Sequence, residues 1–359
     1  MLRYLRFGLF CCLSPVCLAQ VQQTKVFEKW DTDQNGYLDK AELPANIQTN
    51  FEKVDTDGNG SISLREHLAF LNRNNPSRRR LVPLDLQKDI AYVANGHERQ
   101  KLDLYLPKNS TDKRPLVIWV HGGGWRKGSK DKCRAVPLVE RGFVVASINY
   151  RLSSDAIFPA QIHDCKAAIR WLRQHADEYQ IDKNRIGVWG SSAGGHLVAL
   201  LGTSGDVASL EGIKDGQKVS SRVQAVCDWF GPTNLLLMNK QAGEFGTLDH
   251  DAANSPESLL LGGPLQQVAD KAKMANPITY VTKDDPPFLI LHGDQDPLVP
   301  VNQSLLLKNA LQAAGCKVEF TIVDGAGHGF RDVKWTTRSM DFFESTLLKP
   351  SISSRSESR

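Results

Sequence analysis

The sequence predicts an α/β protein: a large unit built on a mostly parallel central sheet covered by helices on both faces, preceded by a small all-α module. Three observations lead there. From Asp89 onward, short apolar runs alternate with helical stretches, the pattern of a sheet buried on both faces. Residues 31–42 and 55–66 repeat one twelve-residue loop pattern. The composition, 41% hydrophobic and 23% charged over 359 residues, is ordinary for a globular chain and supplies material for a sizeable core.

The first residues read as a leader. Arg3 and Arg6 form a positive start, Phe7 to Leu18 an apolar stretch, and Cys17-Leu18-Ala19 a small-x-small cleavage site, so residues 1–19 are expected to be a signal peptide. The apolar run is short of the ~20 residues a spanning helix needs, so no stable membrane insertion is expected after cleavage, and the protein should be secreted or periplasmic. Net charge is +4, and about +2 without the leader, too weak a field for a nucleic-acid partner. Of seven cysteines, Cys133, Cys165, Cys227 and Cys316 remain in the mature chain, in a compartment that permits disulfides. Cys133 and Cys165 are the preferred pair. They flank the candidate strand 142–149, whereas Cys227 sits inside the apolar run Val223–Phe230.

The twelve-residue pattern is that of a calcium loop. Asp31, Asp33, Asn35, Gly36 and Glu42 fill positions 1, 3, 5, 6 and 12, with Tyr37 at 7 and Asp39 at 9; Asp55, Asp57, Asn59, Gly60, Ser61, Ser63 and Glu66 repeat the series. Oxygens at 1, 3 and 5 and the carbonyl at 7 wrap the cation, glycine permits the turn, and Glu closes the site with both oxygens. Leu38 and Ile62, at position 8, are expected to pair across the loops. Over Val26 to Leu71 the module resembles the EF-hand family and implies structural Ca2+. Its loop starts lie 24 residues apart with Pro44 between them, leaving little room for two full linker helices. An EF-hand pair over 20–73 is therefore followed by a polar, Arg-rich linker over 74–84, the large unit over 85–349, and a Ser/Arg/Glu tail over 350–359 expected to be disordered.

Within the large unit, Ile90–Val93, a turn at Asn95-Gly96 and Leu102–Leu106 read as an opening hairpin. Strands are expected at Leu116–Val120, Phe143–Ile148, Arg185–Trp189, Val223–Phe230, Phe288–Leu291 and Val318–Val323. Helical stretches are expected at Phe158–His175, Gly194–Leu201, Gln303–Ala314 and Arg338–Leu348. Sites on such sheets lie at strand C-terminal ends, and four motifs fall there. Gly190-Ser191-Ser192-Ala193-Gly194 is G-x-S-x-G between a strand and a helix, the setting of a nucleophile elbow, with Ser192 as nucleophile. His121-Gly122-Gly123-Gly124-Trp125 follows a strand, and its bare backbone at Gly123 and Gly124 would join the N–H of Ala193 in an oxyanion hole. A phosphate loop is excluded there, because Ser129 and Lys130 stand in the wrong order. Asp294 and Asp296 follow the strand ending at His292-Gly293, and either could be a triad acid; His328 lies in a small-residue loop after the last strand. His121, His196 and His292 are read as packing or hydrogen-bonding side chains. Asp228 and Trp229 either border the pocket or are structural, and the segment from Asn234 to Lys283 is expected to fold over it.

From Asp89 to Leu348 the chain resembles the hormone-sensitive-lipase-like branch of the α/β-hydrolases. More narrowly it is similar to bacterial carbohydrate esterases of the bifunctional acetylxylan and feruloyl esterase type. The resemblance is carried by His121–Trp125, Phe158-Pro159-Ala160-Gln161 with Asp164 and Trp171, the elbow with Gly195-His196, Asp228 to Thr233, and the Asp296 and His328 loops. It implies an α/β-hydrolase fold and a triad Ser192, Asp296, His328, with Asp296 as the acid and Asp294 bracing the turn. It further implies ester hydrolysis without a catalytic cofactor, on a small acyl ester or an acylated plant or algal polysaccharide. Kynurenine formamidases and general short-acyl carboxylesterases share the HGG-x-W loop, but an export signal and calcium loops favour a polymer-directed enzyme outside the cytoplasm. A calcium-dependent binding protein on the same fold should have a vacant triad position, and none is vacant.

Overall fold

In the computed structural model the described residues are 26–73 except Gln34, Gly36 and Asp57, and 84–348 except 109–111 and 213–218. The segments expected to be a leader and a tail, most of the expected linker, and the loop residue Asp57 lie outside them. The chain forms two compact units, one up to residue 81 and one from residue 82.

The small unit is not purely helical. Helix α1 (residues 26–30) leads into the first loop, which ends in strand β1 (Tyr37–Leu38). Two single-turn helices, α2 (Ala45–Gln48) and α3 (Phe51–Val54), follow Pro44; the second loop ends in β2 (Ile62–Ser63) and α4 (Leu64–Arg73). Pro44 is the N-cap residue of α2, where its fixed φ suits a helix start, and the chain breaks again at Thr49 and Asn50 between the two pieces. The strands pair antiparallel with Leu38 opposite Ile62, as the position-8 residues require, and both are buried with Phe27, Leu43, Phe51 and Val54.

Among its described residues the large unit carries eight strands: β3 (Leu84–Ala91), β4 (Lys101–Pro107), β5 (Arg114–Val120), β6 (Val144–Ile148), β7 (Ile181–Ser191), β8 (Ala225–Trp229), β9 (Phe288–Gly293) and β10 (Val318–Val323). Their order is β10-β9-β8-β7-β5-β6-β4-β3. Only the β3–β4 and β4–β6 pairings are antiparallel. Helices follow in chain order: α5 (Ala160–Gln174), α6 (Ala193–Thr203), α7 (Ala208–Glu211), α8 (Met238–Gln241), α9 (Pro256–Leu261), α10 (Ala269–Met274), α11 (Val301–Ala313) and α12 (Val333–Phe343).

The inner strands β5, β6, β8 and β9 are buried almost throughout because they feed a core on each face of the sheet. In β5, Leu116, Ile118 and Val120 belong to the core that also holds side chains of α5, α6 and α11, while Val117 and Trp119 belong to the core that holds those of α12, on the other face. This partition rules out the Cys133–Cys165 bridge. Cys165 is buried in the first core and Cys133 packs against the second, so the sheet stands between them, and the four cysteines among the described residues are free thiols. The opening strand also differs from expectation. It begins at Leu84 and ends at Ala91, with a bulge between Gln87 and Ile90. As an edge strand with mostly half-buried or exposed side chains, it carries little apolar signal.

Lys130, excluded as a phosphate-loop lysine, has a structural use. Its buried Nζ lies 2.8 Å from both Asp103 Oδ1 and Asp89 Oδ1, tying the bulge of β3 to β4. Lys130→Met would strand the buried Asp103 carboxylate, and a loss of about 3–5 kcal/mol in urea unfolding is expected. A loss under ~1 kcal/mol would show that the pair is not what secures this edge.

Candidate active site

Ser192 is held in a conformation that few side chains adopt. It sits between the end of β7 and α6 at φ +56° and ψ −124°, with its N–H donating to the Trp229 carbonyl at 2.8 Å. The turn closes only because its neighbours are bare: a Cβ on Gly194 would lie 2.1 Å from the Val120 carbonyl oxygen. The side chain is thereby pushed out at the sheet's C-terminal end, where the loops after β5, β9 and β10 converge.

His328 Nε2 accepts the Ser192 hydroxyl at 2.8 Å, and His328 Nδ1–H donates to Asp296 Oδ2 at 2.7 Å. Asp296 Oδ1 accepts the N–H groups of Leu298 and Val299 at 2.8 and 2.9 Å. Burial works to raise the Asp296 pKa, but hydrogen bonds from His292 and His328 outweigh it and hold the carboxyl well below the usual range. Asp296, not Asp294, therefore meets the imidazole. The phenyl ring of Phe230 packs on His328 with centroids 4.6 Å apart.

His292, read from the sequence as a packing or hydrogen-bonding side chain, does hydrogen-bond, but its contact with the triad acid was not foreseen. Its Nε2 is 2.8 Å from the Val299 carbonyl and 3.4 Å from Asp296 Oδ2, and its Nδ1 is 2.7 Å from Ser304 Oγ, so it braces the acid loop. The spacing His292 to Asp296 is the only trace of this in the sequence. His121 and His196 serve as read. The His121 ring donates from Nδ1 to the Gly122 carbonyl at 2.8 Å and stacks on Tyr150, and burial lowers its pKa to about 4. Burial lowers the His196 pKa to about 4 as well, where Nε2 donates to the Ala275 carbonyl at 2.7 Å.

A cavity of about 630 Å³ opens over Ser192 and His328, lined by Gly122 to Lys127, Ala193 and Phe230. Gly123, at φ +114°, has no space for a side chain, since a Cβ would meet the Lys127 carbonyl oxygen at 2.2 Å. Gly123, Gly124 and Ala193 thus present bare or helix-terminal backbone to the space beside the Ser192 hydroxyl. From the segment Asn234 to Lys283, Leu248, His250, Pro256 and Glu257 reach the cavity. Trp229 lines it as well, while Asp228 lies fully buried behind the elbow.

The calcium-loop residues are arranged compatibly with a cation. Carboxylate oxygens of Asp31, Asp33 and Glu42 lie within 4.8 Å of one another. Glu42 is oriented by Thr32 N–H and hydroxyl at 2.8 Å and by Asp39 N–H at 2.9 Å. Glu66 repeats this with Thr56 N–H at 2.7 Å and Ser63 N–H at 2.9 Å. Asn35 and Asn59 turn their side-chain oxygens to the N–H groups of Tyr37 and Ser61. The donor set is all oxygen, the kind a hard divalent cation takes.

Comparison with known proteins places these features. A family model described as BD-FAE matches residues 102–311, and an EF-hand model matches residues 47–66, which hold the second loop. Esterase LipQ of Mycobacterium tuberculosis is 34% identical over 264 residues, covering 70% of this chain and 58% of that protein. Isoprenylcysteine alpha-carbonyl methylesterase ICME of Arabidopsis thaliana is 26% identical, covering 68% of this chain and 56% of that protein. The chain thus spans a little over half the length of these relatives. Among solved structures, a truncated carbohydrate esterase from gut microbiota is 37% identical with a TM-score of 0.67, covering 74% of this chain and 97% of that one. An acetyl ester-xyloside bifunctional hydrolase from Caldicellulosiruptor lactoaceticus is 29% identical with a TM-score of 0.57, covering 68% and 87%.

The buried Asp228 gives a stability prediction. Burial, against one hydrogen bond from the Gly231 N–H, raises its carboxyl from the ordinary 3.8 to about 7. The folded chain then holds the proton more tightly than the unfolded one. The stability this adds is full below pH 3.8, is lost as pH rises through 7, and is absent above. Asp228→Asn, which carries no charge to desolvate, should therefore raise the melting temperature relative to the parent at pH 8 and much less at pH 4. A difference independent of pH would contradict this.

Proposed function

Because the chain belongs to the BD-FAE family and its large unit is that of an α/β-hydrolase serine carboxylic ester hydrolase, we propose that it is an exported esterase. Its proposed reaction is removal of acetyl or feruloyl groups from plant or algal polysaccharide. The observation that carries the reaction is the unbroken hydrogen-bond chain from Ser192 through His328 to Asp296. The carbohydrate esterases among the structural neighbours support the substrate class.

In this reading His328 Nε2 takes the Ser192 proton as Oγ attacks the acyl carbon. Asp296 fixes the tautomer that leaves Nε2 free and stabilises the imidazolium that results. Charge developing on the carbonyl oxygen is met by the N–H groups of Gly123, Gly124 and Ala193, the last at the positive end of α6. The imidazolium returns its proton to the leaving alcohol as the C–O bond breaks. Water, activated by the same imidazole, then attacks the acyl-enzyme, the acid departs, and Ser192 is restored.

Calcium belongs to the same proposal as a structural ion, and the chemistry needs no cofactor. Asp31, Asp33, Asn35, the Tyr37 carbonyl and Glu42 would hold one ion, with Asp39 at position 9. Asp55, Asp57, Asn59, the Ser61 carbonyl and Glu66 would hold the other, with Ser63 at position 9.

Ser192→Ala should lower kcat on p-nitrophenyl acetate by about 10⁴-fold or more, and Asp296→Asn by ~10³–10⁴-fold, with folding unchanged by circular dichroism. Substantial activity left in Ser192→Ala would refute the mechanism. Release of acetate from acetylated xylan and of ferulate from methyl ferulate, set against hydrolysis of N-formylkynurenine, tests the substrate class. For the metal, calorimetry should show two calcium sites in the mature protein and one in Glu66→Ala. Chelation should lower the melting temperature of the small unit. Titration curves that coincide for parent and variant would remove the second loop from the proposal.

A further inference from the structure

Two buried polar side chains of the cavity wall take no part in these steps. His250 and Glu257 both line the cavity and are 2% and 3% exposed. His250 Nδ1 lies 3.0 Å from Glu257 Oε1, and the His250 N–H is anchored on Asn239 Oδ1 at 2.7 Å. Glu257 Oε2, although buried, has no hydrogen-bond partner among the described residues. A fold rarely keeps such an oxygen unless something else supplies the donor. Glu257 follows Pro256, the first residue of α9, which faces Gly124: a Cβ placed on Gly124 would lie 3.4 Å from the Pro256 Cβ. The unpaired oxygen therefore belongs to the residue next along the chain from the wall of the proposed oxyanion hole.

The ligand that fits must bring a donor. A cation is disfavoured, because Arg126, Lys127 and Arg134 line the same cavity. A neutral donor remains, and on the ester substrates proposed above that donor is a hydroxyl. On a sugar ester, hydroxyls sit on ring carbons beside the esterified one and so close to the carbonyl at Gly124, whereas the phenol of a feruloyl group is at the far end of its chain. We infer that the His250–Glu257 pair is a specificity element: Glu257 Oε2 accepts a hydroxyl of the substrate's sugar and selects sugar esters over esters of simple alcohols. This rests on the ester-hydrolase reading above.

The test compares an acetylated methyl xyloside with its monodeoxy analogues. The parent should favour the full sugar over at least one deoxy analogue by about 10- to 100-fold in kcat/KM. That ratio should shrink in Glu257→Gln and approach one in Glu257→Ala, with folding checked by circular dichroism. Binding to Ser192→Ala protein, with and without the Glu257 changes, should show the same discrimination in Kd. If Ser192 protein hydrolyses nothing while this binding preference persists, the chemistry is refuted and the specificity element stands. A parent that treats full and deoxy sugars alike overturns the inference without needing any variant. So does a Glu257 change that lowers both substrates equally, as a structural role would. A preference for methyl ferulate over its 4-deoxy analogue that Glu257→Ala abolishes overturns the sugar assignment in favour of the acyl side.

Discussion

The left-handed backbone at Ser192 is the constraint on which the rest depends. For a residue with a side chain this conformation costs of order 1–3 kcal/mol and lasts only where the surroundings over-determine it. Here they do so from several directions: β7 brings the chain in, α6 takes it away against the Val120 carbonyl, and the Trp229 carbonyl on the adjacent β8 accepts the Ser192 N–H. One turn thus sets the hydroxyl's direction and places the N-terminus of α6 beside it. The loops after β9 and β10 need only bring an imidazole and a carboxylate to a point already defined.

That arrangement explains which parts of the site were legible in the sequence. The elbow and the glycine loop are local solutions to local steric problems, so their residues cluster in the chain and can be read there. The choice between Asp294 and Asp296 is settled in the fold by which carboxylate meets His328. Contacts such as His292 with Asp296 and Ser304 depend on how the turn after β9 folds back against α11. His250 lies in a turn and Glu257 in the first turn of the six-residue α9, runs too short for periodicity to mark a residue as lining a cavity.

The fold was legible in the same uneven way. Central strands are apolar on both faces and stand out, whereas β3 has one neighbour and a largely polar surface and was placed several residues too late. In the small unit, the pairing of Leu38 with Ile62 followed from the loop pattern and the β-propensity of position 8, and the structure forms it as a two-stranded ladder. The proposed disulfide failed for a reason of topology. Two segments can flank a strand in sequence and still be carried to opposite sides of its sheet, and nothing in their spacing distinguishes the cases.

The unpaired thiols have a consequence for how the chain can mature. Burial pushes Cys133 up to about 12 and carries Cys165 and Cys227 well above the ordinary thiol value, so the nucleophilic thiolate is scarce at these positions at neutral pH. With no covalent crosslink in its described architecture, the large unit has no step awaiting an oxidant or a shuffling catalyst. Its two cores are therefore held by packing on either face of the sheet, with these thiols acting as small apolar side chains within them.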